Sequence, residues 1–339
     1  MANRINQSVM INGKKCWITA KSAQEFADKI ANLLAEGSQQ SNKHPFAEYA
    51  WNWFNTYSLP NIATVTATTY QRQIETRLIP GFAGLAVEDI TPDHVQQLFN
   101  QMHVAKATKE KAKMVLNQIL NAALEDKLIT ANPLCSRKVR ITGAASKATE
   151  PYSVEQMRYL AQHLDDIQNS RDRAFLALHI YHPLRPEEVL GLMGGDVDFQ
   201  DMTLTVRRAV THPDRNQPEI KDTKTLSSHR IIGLSAKALP YITATPANEF
   251  ILGGEKPLSY TVVRKMCERI RKDIRFADKI TPSRFRTTVL TDLYDQTKDI
   301  KLTQLAAGHT TSAMTLKHYV KGRETMQSAT AAIENIYSA

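Results

Sequence analysis

The sequence predicts a multidomain protein with three parts: a small N-terminal β-hairpin/helix unit, an all-α domain, and a larger α+β domain. Three observations carry this. Asn12-Gly13 stands between two short apolar-alternating runs in "SVMINGKKCWITA", a strong hairpin signal. Residues 45–133 show helical periodicity throughout. Beyond residue 153, helical patterns flank the strand-like runs "MTLTVRRAV" and "SHRIIGL".

Residues 1–40 form the first unit. After the hairpin, "KSAQEFADKIANLLAEG" offers Ser22 as N-cap, Phe26, Ile30 and Leu34 as one stripe, and Gly37 as a stop. A hairpin plus a helix is too small to be stable without docking on a partner. "SQQSNKHP" is polar and reads as a linker.

Residues 45–134 are read as four helices. They are "FAEYAWNWFNTY", "TVTATTYQRQIETRLIPGFAG" ending at Pro80-Gly81, "TPDHVQQLFNQMH" capped by Thr91, and "KATKEKAKMVLNQILNAALEDKLI". The last is expected to pack through Met114, Leu116, Ile119, Leu120, Ala123 and Leu124. Its first turns carry Lys106, Lys109, Lys111 and Lys113, read either as a solvated face or as phosphate contacts. Residues 135–152 lack periodicity, are small, polar and basic, and read as a domain linker. Residues 153–339 form the larger domain, closing on a terminal helix with Met326, Ala329, Ile333 and Ile336 on one stripe.

The chain has 339 residues, a formal charge of +9 and a pI near 9.3, which makes nucleic acid a plausible partner. Its three cysteines are far apart, which fits a reducing compartment and excludes a CxxC metal site. No apolar run approaches the roughly 20 residues needed to span a bilayer, and the N-terminus lacks a signal-peptide apolar segment.

"ITPSRFRTTVLTDL" puts two arginines at a helix start, with Thr281 as N-cap and Pro282 at the first position. Phe285, Val289 and Leu293 recur at steps of four as a core-facing stripe. Arg286 falls at the edge of that apolar side with Ser283 on its face, while Arg284 is expected to point to water. "YHPLRPEEVLGL" places Arg185 before a helix, three residues from Glu188: either an arginine aimed outward by a carboxylate or a plain surface ion pair. "EIKDTKTLSSHRIIGL" holds Lys221 and Lys224 in a polar segment entering a strand. Gly308 ends a helix, His309 follows at once, and Tyr319 comes ten positions later. Singly, these last three read as a hairpin lysine, a turn histidine and a half-buried tyrosine.

Taken in order, Arg185 with Glu188, Lys224, Arg286, Gly308-His309 and Tyr319 resemble the tyrosine recombinase family, the integrases of phages and conjugative elements. "PLRPEEVLGLMGGDVDF" and "AAGHTTSAMTLKHY" resemble its two boxes, "DTKTLSSHRIIGL" its lysine hairpin, and "LEDKLITANPL" the end of its helical core-binding domain. The resemblance covers about residues 45–330. It implies an arm-site DNA-binding unit (1–40), a SAM-like core-binding domain (45–134), a linker (135–152) and a catalytic domain (153–339) with a C-terminal helix that docks in cis or on a neighbouring subunit. It implies a site-specific DNA recombinase cutting and rejoining DNA through a 3′-phosphotyrosyl intermediate, without metal, ATP or other cofactor.

In that scheme Arg185 and Arg286 bind the charge on the transferring phosphate with planar forks of donors. Lys224 protonates the 5′-oxygen leaving group, His309 hydrogen-bonds the phosphate, and Tyr319 is the nucleophile. Glu188 supports Arg185. Lys106, Lys109, Lys111, Lys113 and Arg284 are the expected DNA contacts. Partners would be double-stranded DNA, further copies in a synaptic homotetramer, and an accessory DNA-bending or directionality factor; no membrane is implied. The location would be the cytoplasm of a bacterial host, at the nucleoid. The departure is Ser283, where the family most often has histidine. Loss of one such donor costs about 3 kcal/mol, or roughly 10²–10³ in rate. Two other readings remain: a type IB topoisomerase-like relaxing enzyme, and a catalytically weakened DNA-binding relative.

Overall fold

In the computed structural model the described residues are 5–11, 14–41, 43–144, 149–222 and 229–308. The chain divides into two compact units, Met1–Ser146 and Lys147–Ala339.

The first unit opens with an antiparallel pair, β1 (Ile5–Ile11) and β2 (Lys14–Ala20), in register from Ile5↔Ala20 to Ile11↔Lys14. Ser22 Oγ accepts from the Glu25 N–H at 3.1 Å and caps helix α1 (Ala23–Ser41). This helix runs through Gly37, where the sequence suggested a stop, and takes up the first residues of the expected linker. A mid-helix glycine costs about 1 kcal/mol relative to alanine but does not break the hydrogen-bond ladder.

Helix α2 (Phe46–Trp53) continues as a wider turn over Phe54–Ser58, and α3 (Thr64–Gln73) does the same over Ile74–Leu78 before the single turn α4 (Ile79–Gly81). Thr91 caps α5 (Pro92–Gln101) reciprocally with His94. Helix α6 (Lys106–Glu125) is the spine of this unit. Its buried stripe is Lys109, Ala112, Val115, Leu116, Ile119, Leu120 and Ala123, packed against Phe46, Ile74, Leu78, Val95 and Phe99. Met114 and Leu124, expected in that stripe, are exposed (46% and 38%), because the packed face centres on Ala112, Leu116 and Ala123, which puts Met114 on the opposite side of the helix and Leu124 at the edge of that face. The linker does not stand free at its start. Arg140 N–H donates to Gln96 Oε1 at 2.7 Å, Lys106 N–H to the Ala144 carbonyl at 3.1 Å, and Val139 and Ile141 pack on the helical core.

The second unit begins with α7 (Val154–Gln162), capped by Ser153, and α8 (Ser170–Tyr181), capped by Asn169 and buried over nearly its whole length. Helix α9 (Pro186–Gly191) leads to β3 (Val197–Asp198) and β4 (Thr203–Val206). After Val206 the chain leaves this sheet: β5 (Arg208–Asp214) and β6 (Gln217–Asp222) form their own hairpin. The chain returns as β7 (Arg230–Gly233), giving the antiparallel order β3-β4-β7. "MTLTVRRAV" is therefore two strands, because buried Asp196 takes both Arg207 and Arg208 where the chain turns. Helices α10 (Tyr260–Asp273), α11 (Pro282–Thr297) and α12 (Ile300–Ala307) complete the described part. The expected terminal helix lies outside the described residues.

Candidate active site

Arg185 is the N-cap of α9, and its side chain does not cap. Glu188 does so instead: its Oε2 accepts from the Arg185 N–H at 2.8 Å. The same carboxylate accepts side-chain hydrogen bonds from two guanidiniums and lies beside a third. Arg185 Nη1 donates to Oε1 at 2.7 Å. Arg230, at the start of β7, donates through both terminal nitrogens, to Oε1 at 2.9 Å and Oε2 at 2.7 Å. Arg286, from the second turn of α11, lies 3.8 Å from Oε2. Glu188 is buried, and burial by itself would raise its pKa. The hydrogen bonds and charge of Arg230, then of Arg185, overcome that and lower it to about 2. The carboxylate is thus charged throughout the physiological range, and among the described residues three cations face it.

The three arginines are not equally open. Arg286 is 7% exposed; its Nη1 donates to the Pro183 carbonyl at 2.7 Å and Nη2 to the Ala307 carbonyl at 2.6 Å. These bonds tie the loop before α9 and the end of α12 to one rigid fork. Arg230 is 11% exposed, while Arg185 is 40% exposed and turns its remaining donors to solvent. Among the described residues three guanidiniums thus face one carboxylate, with Arg185 the most open to solvent, an arrangement suited to a phosphate.

Arg286 is thus buried, but not by the expected stripe. On α11 the buried residues are Phe285, Arg286, Thr288 and Leu290, with Val289 and Leu293 only half-buried. Thr288 turns inward because its Oγ1 accepts from the Tyr152 N–H at 2.8 Å. Arg284, expected in water and as a DNA contact, is instead folded over the Tyr152 ring, 3.8 Å from its centroid. It donates to the Glu150 and Pro151 carbonyls at 2.9 and 3.3 Å. Its fork is taken up in holding the incoming chain, which leaves it a structural brace. Thr281 sits at the N-cap position without a side-chain cap bond. Ser283 is exposed in the first turn of α11.

Two buried histidines lie at the end of α8, His179 in its last turn and His182 just beyond it. His182 Nδ1–H donates to the Leu178 carbonyl at 3.2 Å while its Nε2 accepts from the Ser235 N–H at 3.0 Å, fixing the tautomer. Burial pushes both His179 and His182 down to about 4, so they are neutral spacers.

Of the four lysines on α6, Lys106 and Lys111 are exposed and Lys113 is half-buried. Lys109 is a correction: it is buried and its Nζ donates to the Phe99 carbonyl at 2.7 Å, closing the last turn of α5. Lys224, His309 and Tyr319 lie outside the described residues. Among the described residues no group of three His, Cys, Asp or Glu is placed to hold a metal ion.

Arg230 is the site residue that sequence reasoning missed. In "SHRIIGL" the two isoleucines mask which face points inward. The register resolves it: Arg230 pairs with Val206 and Ile232 with Leu204, both partners fully buried. Ile231 is the outward residue, 69% exposed. An arginine on the inward face of a strand is the signal, visible only once the register is known.

Comparison with known proteins identifies the family. The model of the phage integrase family matches residues 152–326, and that of the phage integrase N-terminal SAM-like domain matches residues 45–103. Tyrosine recombinase XerC of Chlamydia trachomatis serovar L2 is 25% identical over 232 residues, covering 62% of this chain and 65% of that recombinase. The integrase of Mycobacterium phage L5 is 27% identical over 186 residues, covering 54% of this chain and 47% of that protein. The aligned region thus spans just under two thirds of the recombinase and just under half of the phage integrase. In fold, the chain is similar to the Tn1549 transposon integrase in complex with a circular intermediate DNA (TM-score 0.72, 17% identity, 86% of this chain and 99% of that one). It is also similar to a lambda integrase tetramer bound to a Holliday junction (TM-score 0.63, 17% identity, 93% and 92%). With the family model spanning more than half its length, and the Arg185–Glu188–Arg286 cluster inside the matched region, the chain belongs to the phage integrase family.

Proposed function

We propose that this chain is a site-specific DNA recombinase that integrates or excises a mobile element by tyrosine transesterification. The observation that carries the reading is the set of arginines gathered on Glu188, with Arg185 open to solvent. A phosphodiester bound there would set its non-bridging oxygens against Arg185 and Arg286. The Tyr319 oxygen attacks phosphorus, its proton passing to water, and a 3′-phosphotyrosyl bond forms. The P–O5′ bond breaks, and Lys224 gives its proton to the departing 5′-oxygen. His309 donates to the phosphate, and Ser283 supplies a weaker donor beside it. One phosphate ester replaces another, so the step needs no ATP, and the arginines carry the charge that a metal would otherwise neutralise.

The exposed Lys106 and Lys111, with half-buried Lys113, would follow the duplex backbone. The working form would be a homotetramer on two synapsed sites, assisted by a DNA-bending or directionality factor, in the bacterial nucleoid. No helix among the described residues is long and apolar enough to cross a membrane.

A nicked half-site substrate, drawn from the DNA flanking the gene, tests the reading. The expected result is a covalent protein–DNA adduct that Tyr319→Phe abolishes. No adduct on any such site, with duplex binding intact, would leave a DNA-binding protein only. Relaxation of plasmids lacking a site would move the reading to a topoisomerase. Ser283→His is expected to raise the cleavage rate by roughly 10²-fold, measured in a single turnover.

A further inference from the structure

We infer that Arg230 is a positioning residue of this site: it clamps Glu188 between β7 and α9, and so sets where the Arg185 fork points. The inference rests on the recombinase reading for its kinetic consequence, and on geometry alone for the clamp.

Glu188 has two oxygens; the Arg185 backbone N–H anchors Oε2 at the start of α9, and among the described residues Arg230 is the side chain that donates to both. Arg230 makes a two-pronged bond, 2.9 and 2.7 Å, while Arg185 takes a single side-chain bond at 2.7 Å. A fork-to-fork pair fixes the carboxylate plane, whereas a single bond leaves rotation about it. The plane of Glu188 is therefore set by β7 together with the Arg185 N–H, and handed to the Arg185 fork, which is the exposed donor of the cluster. Arg230 is itself held on its far side. Gly308, in the left-handed region at φ +63°, closes α12 directly against it. A Cβ at Gly308 would come within 3.0 Å of Arg230 Cδ and 3.1 Å of its Nε. That Nε is buried and makes no hydrogen bond. A buried donor left unsatisfied is costly, so the position is kept at some expense to stability. One side chain thus touches the start of α9 through Glu188 and the end of α12 through Gly308, and belongs to the strand that follows the Lys224 segment.

The charged groups facing Glu188 among the described residues are Arg185 from the start of α9, Arg230 from β7 and Arg286 from α11. With Arg230 replaced by a neutral residue, Glu188 loses its principal counter-charge and takes up a proton at higher pH. Below that pH it no longer holds Arg185.

The experiment compares wild type, Arg230→Gln, Arg230→Lys and the double variant Arg230→Gln/Glu188→Gln on the nicked half-site. Melting temperature and duplex affinity are measured in parallel. Arg230→Gln is expected to cleave about 10²-fold more slowly, the scale of a misplaced reacting group, with duplex affinity unchanged. Its rate is expected to fall on acidification at a pH where wild type does not respond, and the double variant is expected to lose that acid limb. Arg230→Lys, which keeps charge but not the fork, is expected to remain slow without the acid limb. It also serves if the glutamine variant does not fold. Titration of the Glu188 carboxyl by carbon NMR reads the clamp without any activity and is expected to move upward in Arg230→Gln. A wild-type rate and a wild-type acid response in Arg230→Gln would overturn the inference. So would losses of rate, affinity and melting temperature in proportion, which mark a brace. If wild type forms no adduct while the Glu188 titration still moves, the recombinase reading fails and the clamp stands.

Discussion

Lys109 in the first unit and Arg286 in the second are both buried cations, and they are satisfied in different ways. Lys109 meets one neutral carbonyl, that of Phe99, and lies among apolar side chains of α6. Its charge does the work of a helix cap and reaches nothing outside. Arg286 meets two carbonyls and the edge of a carboxylate that two other arginines already neutralise. Among the described residues its charge joins two other guanidiniums facing the one carboxylate of Glu188, an arrangement suited to an arriving anion. Burial of a cation does not by itself mark a site; what matters is whether the surrounding groups balance it.

This contrast can be broken. Arg286→Ala is expected to lower half-site cleavage by about 10²–10³-fold, or roughly 3–4 kcal/mol of transition-state stabilisation, with duplex affinity kept. A loss of affinity matching the loss of rate would place Arg286 among ordinary backbone contacts. Next in size is the acid response of Glu188. Its folded pKa of about 2 lies below the ordinary 4.5, so its contribution is present above pH 4.5 and lost as pH falls through about 2. That amounts to about 3 kcal/mol. Denaturant titrations from pH 5 to 2 are expected to show this slope, and Glu188→Gln to remove it. Lys109→Met is expected to cost about 1–2 kcal/mol of stability and leave DNA affinity unchanged; weaker DNA binding at unchanged stability would restore it as a contact. The smallest effects belong to Lys106→Ala and Lys111→Ala. Each is expected to leave stability alone and reduce the slope of log affinity against log salt by about 1.

The helices of the first unit were legible because apolar spacing reports a buried face directly, as at Leu116, Ile119, Leu120 and Ala123. Met114 and Leu124 went astray because a wide apolar stripe does not show its own edges. Around the arginines periodicity carried less. Arg185, Glu188 and Arg286 stood out by spacing and resemblance, yet Arg284 and Arg286 were told apart only in part. Arg284 is engaged by the Glu150 and Pro151 carbonyls, more than 130 positions upstream. Arg230 was silent because its meaning depends on a strand register, and register is a long-range property.

The Glu188 cluster has one more consequence, for titration. Arginine side chains do not give up their protons in proteins, Glu188 is ionised down to about pH 2, and the neighbouring histidines stay neutral down to about 4. Between those limits and strong alkali this group of residues has one charge state. It is a fixed electrode against which other groups titrate. On the proposed reading, a bell in the pH–rate curve near neutrality is expected to move when Lys224, His309 or Tyr319 is replaced with the Glu188 cluster left intact.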